Sequence, residues 1–178
     1  MTEQDLVKRC IKKDSASQKV LFEQYASVMM TVCRRYSGNQ QEAEDILQES
    51  FIRVFLYINQ YKFKGSLEGW IKRIVVNCAL RALQKKKIHF VEIKDEQLAA
   101  QPVDSDALSN LNEEELLKLI SSLPEGYRIV FNLYVLEGYN HDEIAGILHI
   151  KTATSRSQLA KARNLLKEKI KSLNKMPI

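Results

Sequence analysis

The sequence has 178 residues, 45% of them hydrophobic, and a formal net charge of +5. This length suffices for one domain or for two small ones, each with its own core. No apolar run approaches the ~18 residues of a membrane-spanning helix, and the charged start MTEQDLVKRC does not resemble a signal peptide. These features argue against a membrane-embedded or secreted protein, and we expect a cytoplasmic one.

Cysteine and histidine usage predicts neither disulfides nor a metal centre. The cysteines Cys10, Cys33 and Cys78 are odd in number and form no CxxC pair, so we expect reduced thiols in a core or an interface. With three scattered histidines beside them, we expect no metal and no other cofactor. The sequence also lacks a P-loop, an HExxH motif and paired carboxylates suited to a metal-dependent nuclease, which argues against an enzyme.

Basic residues concentrate in two blocks of the sequence. Residues 62–87 and residues 151–178 each contain eight Lys and Arg against a single acid, so the remainder of the chain is acidic. Two such blocks indicate two nucleic-acid contacts. A pair of solvated helix faces is the alternative interpretation.

Hydrophobic periodicity predicts an all-α protein. The spacing of apolar residues indicates helices over residues 3–13, 17–36 and 40–59, and a further helix that runs from Trp70 to about residue 87. The second helix should direct one apolar face inward, formed by Val20, Leu21, Tyr25, Val28 and Val32.

Residues 42–87 combine an acidic helix face, an aromatic and basic loop, and a polar helix face. The outer face of the third helix becomes basic at Arg53, and its acidic part comprises Glu42, Asp45, Gln48 and Glu49. The loop YKFKGSLEGW follows, in which Ser66 is suited to cap the next helix. On that helix a polar stripe comprises Trp70, Arg73, Asn77, Arg81 and Gln84. This combination is typical of a protein that holds a partner and a nucleic acid together.

Aromatic residues of the loop favour single-stranded nucleic acid. We expect Tyr61, Phe63 and Trp70 to be exposed beside Lys62 and Lys64. Exposed rings stack on unpaired or flipped bases, which an intact duplex does not offer. A core position for the tryptophan is the alternative interpretation.

The composition of the sequence becomes acidic from residue 88 onward. Residues 88–111 contain one Lys against five acids and lack a long periodic run, which predicts a flexible acidic linker between two small helical domains. An ordered loop packed on either domain is the alternative. Helical periodicity resumes at Asn112 and again over residues 126–136, where Gly138 ends the second helix.

Residues 139–166 have the pattern of a helix-turn-helix. Asn140 and Glu143 form a capping box at the start of a short helix, and Thr152 is suited to cap a longer one. The longer helix should direct Arg156, Ser157, Ala160 and Lys161 away from the core. A short helix, a tight turn and a longer basic helix indicate binding in the major groove of DNA.

Together these motifs resemble bacterial sigma factors of the extracytoplasmic-function (ECF) group, within the sigma-70 family. AEDILQESFIRVF resembles the segment that docks on core RNA polymerase, and YKFKGSLEGWIKRIVVNCALRAL the segment that melts and reads the −10 promoter element. The helix-turn-helix resembles the region that reads the −35 element. The resemblance implies region 2 at residues 1–88, a linker at 89–111 and region 4 at 112–178. An anti-sigma factor is implied as a further partner.

The motifs and the resemblance together give three sets of candidate site residues. The contact with core polymerase would comprise Asp45, Gln48, Glu49 and Phe51. The −10 set would comprise Tyr61, Lys62, Phe63, Lys64, Ser66, Trp70, Arg73, Asn77 and Arg81. The −35 set would comprise Thr152, Thr154, Arg156, Ser157, Ala160 and Lys161.

Two positions depart from the pattern of the family. Tyr61-Lys62-Phe63 stands where the loop usually reads Phe-Arg-Gly, and His149 stands where the turn of the helix-turn-helix usually has Gly. Two other protein classes remain open, a dimeric helix-turn-helix regulator that ignores polymerase and a helical adaptor without a nucleic acid. The regulator would leave the acidic helix face and the aromatic loop unexplained.

Overall fold

The structure, a computed structural model, describes residues 2–86 and 112–173. Within these ranges every regular element is a helix, which confirms the all-α prediction. The chain forms two compact units that divide between Lys86 and Lys87. The predicted linker, residues 89–111, lies outside the described residues. None of the helices in the two ranges is long and apolar enough to cross a membrane.

Four α-helices build the N-terminal unit. They are α1 (Glu3–Ile11), α2 (Ser15–Tyr36), α3 (Gln40–Tyr57) and α4 (Leu67–Lys85), with a 3-10 turn at Ile58–Gln60 after α3. Each helix begins at a polar N-cap whose side chain accepts a hydrogen bond from a backbone N–H of the first turn, namely Thr2, Asp14, Asn39 and Ser66. α2, α3 and α4 pack against one another, so the core lies between these three helices.

The inward face of α2 differs from the predicted one. Val20 and Val28 are exposed, whereas Leu21, Tyr25 and Val32 are buried as expected. The core is completed instead by Met29, Cys33 and Tyr36. Successive residues of a helix are about 100° apart around its axis, so Val20 and Val28 lie one position away from the row that begins at Leu21.

All three cysteines are buried free thiols, as expected for a reduced core. Burial raises the pKa of the Cys33 thiol to about 12, so this residue is protonated and unreactive at neutral pH.

Ser66 caps the helix that follows the loop, as predicted, so this helix begins before Trp70. Ser66 accepts a hydrogen bond from the Gly69 N–H at 3.1 Å, so α4 starts at Leu67 and Trp70 lies in its first turn. Leu67 is fully buried and anchors this start.

The C-terminal unit contains α5 (Glu113–Ser121), α6 (Glu125–Phe131), α7 (His141–Leu148) and α8 (Thr152–Leu173). Its core joins α5 to α8 through Leu119, Leu123, Ala162, Leu166 and Ile170. The predicted helix over 126–136 is α-helical as far as Phe131 and continues as a π-helical turn over Asn132–Leu136. Gly138 follows this turn with a φ of 78°, in the left-handed region.

Candidate nucleic-acid and partner interfaces

The acidic face of α3 is exposed, as the sequence predicted. Asp45, Gln48 and Glu49 are all accessible to solvent. Glu49 accepts a hydrogen bond from the Arg53 guanidinium at 2.7 Å, whereas Glu42 is engaged by the Lys86 ammonium and the Gly38 N–H. The hydrogen bond from Lys86 holds the pKa of Glu42 below its ordinary value. Glu42 therefore fastens the end of α4 to the start of α3, and Asp45, Gln48 and Glu49 form the outward surface.

Phe51 does not belong to that surface, which corrects its predicted role as a direct contact. Its side chain is 3% exposed, and its ring packs edge-on against Phe22 with centroids 4.8 Å apart and against Phe55 at 6.1 Å. The ring joins α3 to α2. Phe51 thus supports the helix that carries the acidic face, and it is not available to a partner protein.

The loop between the 3-10 turn and α4 is built around a buried tyrosine, although all of its rings were expected to be exposed. Tyr61 is 5% exposed, and its hydroxyl donates a hydrogen bond to the Gly65 carbonyl at 2.9 Å. Its ring lies 4.9 Å from that of Phe63 and 5.6 Å from that of Trp70. Phe63 is exposed and Trp70 is half-buried. Tyr61 therefore supports the rings of Phe63 and Trp70, which remain accessible to solvent in full or in part.

Basic and polar side chains surround these rings. Lys62, Lys64 and Ser66 are exposed in the loop, and the Ser66 hydroxyl oxygen also caps α4. The predicted polar stripe of α4 is exposed at Arg73, Asn77 and Arg81. Trp70 begins the stripe, so an aromatic ring, two guanidiniums and an amide follow one another along one side of the helix.

A helix-turn-helix is present in the C-terminal unit. Asn140 and Glu143 form the predicted capping box at the start of α7. His149 ends α7 in the left-handed conformation, with φ 55° and ψ 44°, at the position where the family pattern has Gly. Thr152 is the first residue of α8 and not its N-cap, and its hydroxyl donates instead to an Asp142 carboxylate oxygen at 2.9 Å. This bond ties α8 to the start of α7.

Two predicted contact residues on α8 are buried. Arg156 is exposed, and Ser157 and Lys161 are half-buried, in agreement with an outward face. Thr154 and Ala160 are 8% and 7% exposed. The inward row of α8 contains Gln158, Ala162 and Leu166, and Thr154 continues this row four residues before Gln158. Ala160 lies four residues after Arg156 on the other side of the helix, but its small side chain is covered nonetheless. Thr154 and Ala160 are therefore not surface contacts, and the accessible members of the predicted set are Arg156, Ser157, Lys161 and Thr152.

Comparison with known proteins agrees with this geometry. Residues 21–88 match the model of sigma-70 region 2, and residues 113–166 match that of sigma-70 region 4. The ECF sigma factor SigE of Mycolicibacterium smegmatis is 31% identical over 153 residues, which cover 83% of this chain and 59% of that protein. SigW of Bacillus subtilis is 27% identical over 94% of this chain and 96% of its own length. The chain is an ECF sigma factor of the sigma-70 family.

The fold of one solved structure is similar as well. The structure of CnrH in complex with the cytosolic domain of CnrY has a TM-score of 0.50 and 15% identity to this chain, and it covers 96% of this chain and 97% of that one. In the chain described here, the region 2 match spans α3, the aromatic loop and α4, and the region 4 match spans α7 and most of α8.

Sequence reasoning missed an apolar extension of the α3 surface. Ile52 and Leu56 are large hydrophobic residues that remain exposed, and they follow Gln48 at steps of four residues. The apolar periodicity of 40–59 was interpreted as a core face alone. The signal was present in the run FIRVFLY, which has more apolar residues than a single buried stripe of a helix accommodates.

Sequence reasoning also missed a stack of side chains at the helix-turn-helix. The His141 ring stacks on Tyr134 with centroids 4.5 Å apart, and the Arg163 guanidinium lies 5.8 Å from the centroid of the same tyrosine ring. The His141 Nδ1 atom lies 2.9 Å from the Ser155 hydroxyl. No local motif relates these residues, because they come from the π-helical turn, α7 and α8.

Proposed function

We propose that this sigma factor is a promoter-specificity subunit that binds core RNA polymerase through the acidic face of α3. The Tyr61–Ser66 loop and α4 hold the melted −10 strand, and α8 enters the major groove of the −35 element. The predicted domain limits, 1–88 and 112–178, belong to this proposal, as does control by an anti-sigma factor. Strand separation is driven by binding energy without nucleotide hydrolysis, so the protein is not an enzyme.

One observation carries the proposal beyond DNA binding in general. The N-terminal unit exposes both an acidic surface at Asp45, Gln48 and Glu49 and an aromatic and basic surface at the loop and α4. A regulator that binds only duplex DNA has no use for the first surface, since acidic residues repel phosphates. It has no use for the second either, since exposed rings stack on unpaired bases.

Charge reversal on α3 tests the contact with polymerase. We expect Asp45→Lys with Glu49→Lys to lower the affinity for core polymerase roughly tenfold or more, which equals about 1.4 kcal/mol or more, because complementary charges across the interface become like charges. The measurement is retention of the protein on immobilised core enzyme. Loss of the exposed Glu49–Arg53 pair changes the stability of the fold by about 1 kcal/mol at most.

Glu23→Lys is the matched control. Glu23 is an exposed acid of α2 that also pairs with a basic neighbour, Lys19, at 3.8 Å, but it lies outside the acidic face of α3. This control variant should bind core polymerase as the unchanged protein does. Undiminished retention of the Asp45/Glu49 variant, with an unaltered melting temperature, would refute the assignment of this surface.

A further inference from the structure

The imidazole of His141 has neighbours that favour its protonated form. It stacks on the Tyr134 ring with centroids 4.5 Å apart and an interplanar angle of 24°, and an aromatic face within about 6 Å attracts a cation. The Asp142 carboxylate, which follows in the chain, acts in the same direction. The Ser155 hydroxyl lies 2.9 Å from Nδ1 and is able to accept a hydrogen bond from a protonated ring or to donate one to a neutral ring. Each of these contacts is therefore compatible with an imidazolium.

Opposing effects keep the ring neutral in the free chain. Burial lowers the pKa of the His141 imidazole, and the guanidiniums of Arg156 and Arg163 lower it further. The Arg163 guanidinium lies 5.8 Å from the centroid of the same Tyr134 ring on which His141 stacks. Arg156 follows Ser155 in the chain, and its side chain is exposed. Two cations of α8 therefore act on the imidazole, and one of them is open to a ligand from solvent.

DNA in the proposed −35 site would change one side of this balance. Arg156 belongs to the −35 set, and a guanidinium in the major groove meets the acceptor atoms of bases and the nearby phosphates. Negative charge beside Arg156 offsets the repulsion that this guanidinium exerts on an imidazolium, while Asp142 and Tyr134 still favour the protonated ring. The pKa of His141 should therefore rise when α8 binds DNA, even without direct contact between the imidazole and the DNA.

We propose that His141 takes up a proton when the helix-turn-helix binds the −35 element, so that the affinity for this element increases as the pH falls. The coupling is reciprocal, because a ligand that favours the protonated ring is itself bound more tightly by the protonated protein. Between the pKa of His141 in the free chain and its higher pKa in the complex, the affinity rises by at most about tenfold per unit decrease in pH. This inference rests on the proposed function, because the DNA beside Arg156 is the −35 duplex.

The test measures binding of a labelled promoter duplex by core polymerase assembled with the full chain. The promoter is one that this assembly transcribes in vitro, and the pH is lowered from 7.5 to 6.0 at constant ionic strength, because phosphate contacts depend on salt. Over this range we expect the unchanged protein to gain roughly fivefold in affinity relative to His141→Gln, whose side chain does not titrate. Titration calorimetry in two buffers with different enthalpies of ionisation counts the protons taken up. His141→Gln should take up fewer, by as much as one proton per complex.

His149→Asn is the matched control for a second histidine of the helix-turn-helix. His149 is exposed in the turn before α8, and asparagine tolerates its left-handed backbone conformation. This variant should keep both the proton uptake and the pH dependence of the unchanged protein. His141→Tyr keeps a ring on Tyr134 without a charge at these pH values, and it should behave as His141→Gln does, which guards against misfolding of the glutamine variant.

The two hypotheses fail in different ways. Equal proton uptake by the unchanged protein and by both His141 variants, or an equal pH dependence of their affinities, would overturn the role of His141. Absence of −35 binding by the assembled polymerase at every pH would instead count against the proposed function.

Discussion

His141 is the residue at which three elements of the C-terminal unit meet. It begins α7, stacks on Tyr134 of the π-helical turn and lies within hydrogen-bond distance of Ser155 on α8. Burial lowers the pKa of its imidazole below the ordinary value of 6.5, and the nearby guanidiniums of Arg156 and Arg163 lower it further, against an opposing effect of Asp142. The neutral ring therefore belongs to the folded state at neutral pH.

Acidification should accordingly destabilise the C-terminal unit. Below pH 6.5 His141 is protonated in the unfolded chain but still neutral in the folded unit. The free energy of unfolding therefore falls with decreasing pH, until the pH reaches the lowered pKa of His141 in the folded state. The slope contributed by one such group is at most about 1.4 kcal/mol per pH unit. Denaturant unfolding from pH 7.5 to pH 5.5 measures it, and His141→Gln should flatten the slope. A variant with an unchanged slope would contradict this role of His141.

At the scale of single residues, the sequence did not predict which members of a functional segment are buried. A motif identifies Phe51, Tyr61 and Ala160 as members of a functional segment, but it does not give their orientation. Ala160 lies four residues after the exposed Arg156 and so on the outer side of α8, yet it is only 7% exposed, which periodicity does not predict. For Tyr61 the deciding interaction is a bond from its own hydroxyl to the backbone four residues later, which no periodicity reveals.

At the scale of elements, the helix-turn-helix depends on short polar contacts. The Thr152 hydroxyl donates a hydrogen bond to Asp142, and the His141 ring lies within hydrogen-bond distance of the Ser155 hydroxyl. The Asn140 side chain accepts hydrogen bonds from the Asp142 and Glu143 N–H groups at 3.0 and 2.9 Å. These contacts lie at the N-terminal ends of α7 and α8. They fix the start of the helix that carries Arg156.

Removal of the cap should weaken this arrangement. Asn140→Ala leaves the first N–H groups of α7 without their acceptor, which should lower the free energy of unfolding by about 1 kcal/mol and reduce the affinity for −35 DNA. Asn39→Ala is the matched control, since Asn39 caps α3 through the Glu42 N–H at 2.9 Å and belongs to the other unit. Unfolding curves and binding to a −35 duplex measure both variants. If both variants lost the same affinity for −35 DNA, the cap of α7 would have no specific role in binding that element.

Most helix limits could be predicted, because caps and apolar spacing are local signals. The capping box at Asn140 and the cap at Ser66 were both found from the sequence. The π-helical turn at Asn132–Leu136 was not, because such turns are rare and helical periodicity alone predicts an α-helix there. Val20 and Val28 were misplaced because α2 has apolar residues on more than one face, and contacts with α3 and α4 decide which face is buried.

At the scale of the whole molecule, the two basic surfaces have different requirements for DNA. In the proposed function the helix-turn-helix enters an intact major groove, whereas Phe63 and Trp70 contact bases that have left the stack. The second requirement is met once the strands separate. The N-terminal surface should therefore contribute to promoter binding in the presence of polymerase and hardly at all without it.

Footprinting of promoter DNA checks this expectation. Protein with core polymerase should protect both elements and make the −10 bases reactive to single-strand probes, whereas the protein alone should give little protection. Arg156→Ala should remove the −35 protection while the protein still binds core enzyme, because Arg156 is exposed on the other unit from α3. Strong palindromic protection by the protein alone would favour the dimeric regulator.

The aromatic cluster of the loop has one practical consequence. Trp70 is the single tryptophan of the sequence, and it lies half-buried beside Tyr61 in the N-terminal unit. Its fluorescence emission therefore follows the unfolding of that unit alone, whereas far-ultraviolet ellipticity follows the helices of both. Comparison of the two signals separates the stabilities of the units in the uncut, unlabelled chain, and a base that stacks on the indole would quench the same emission.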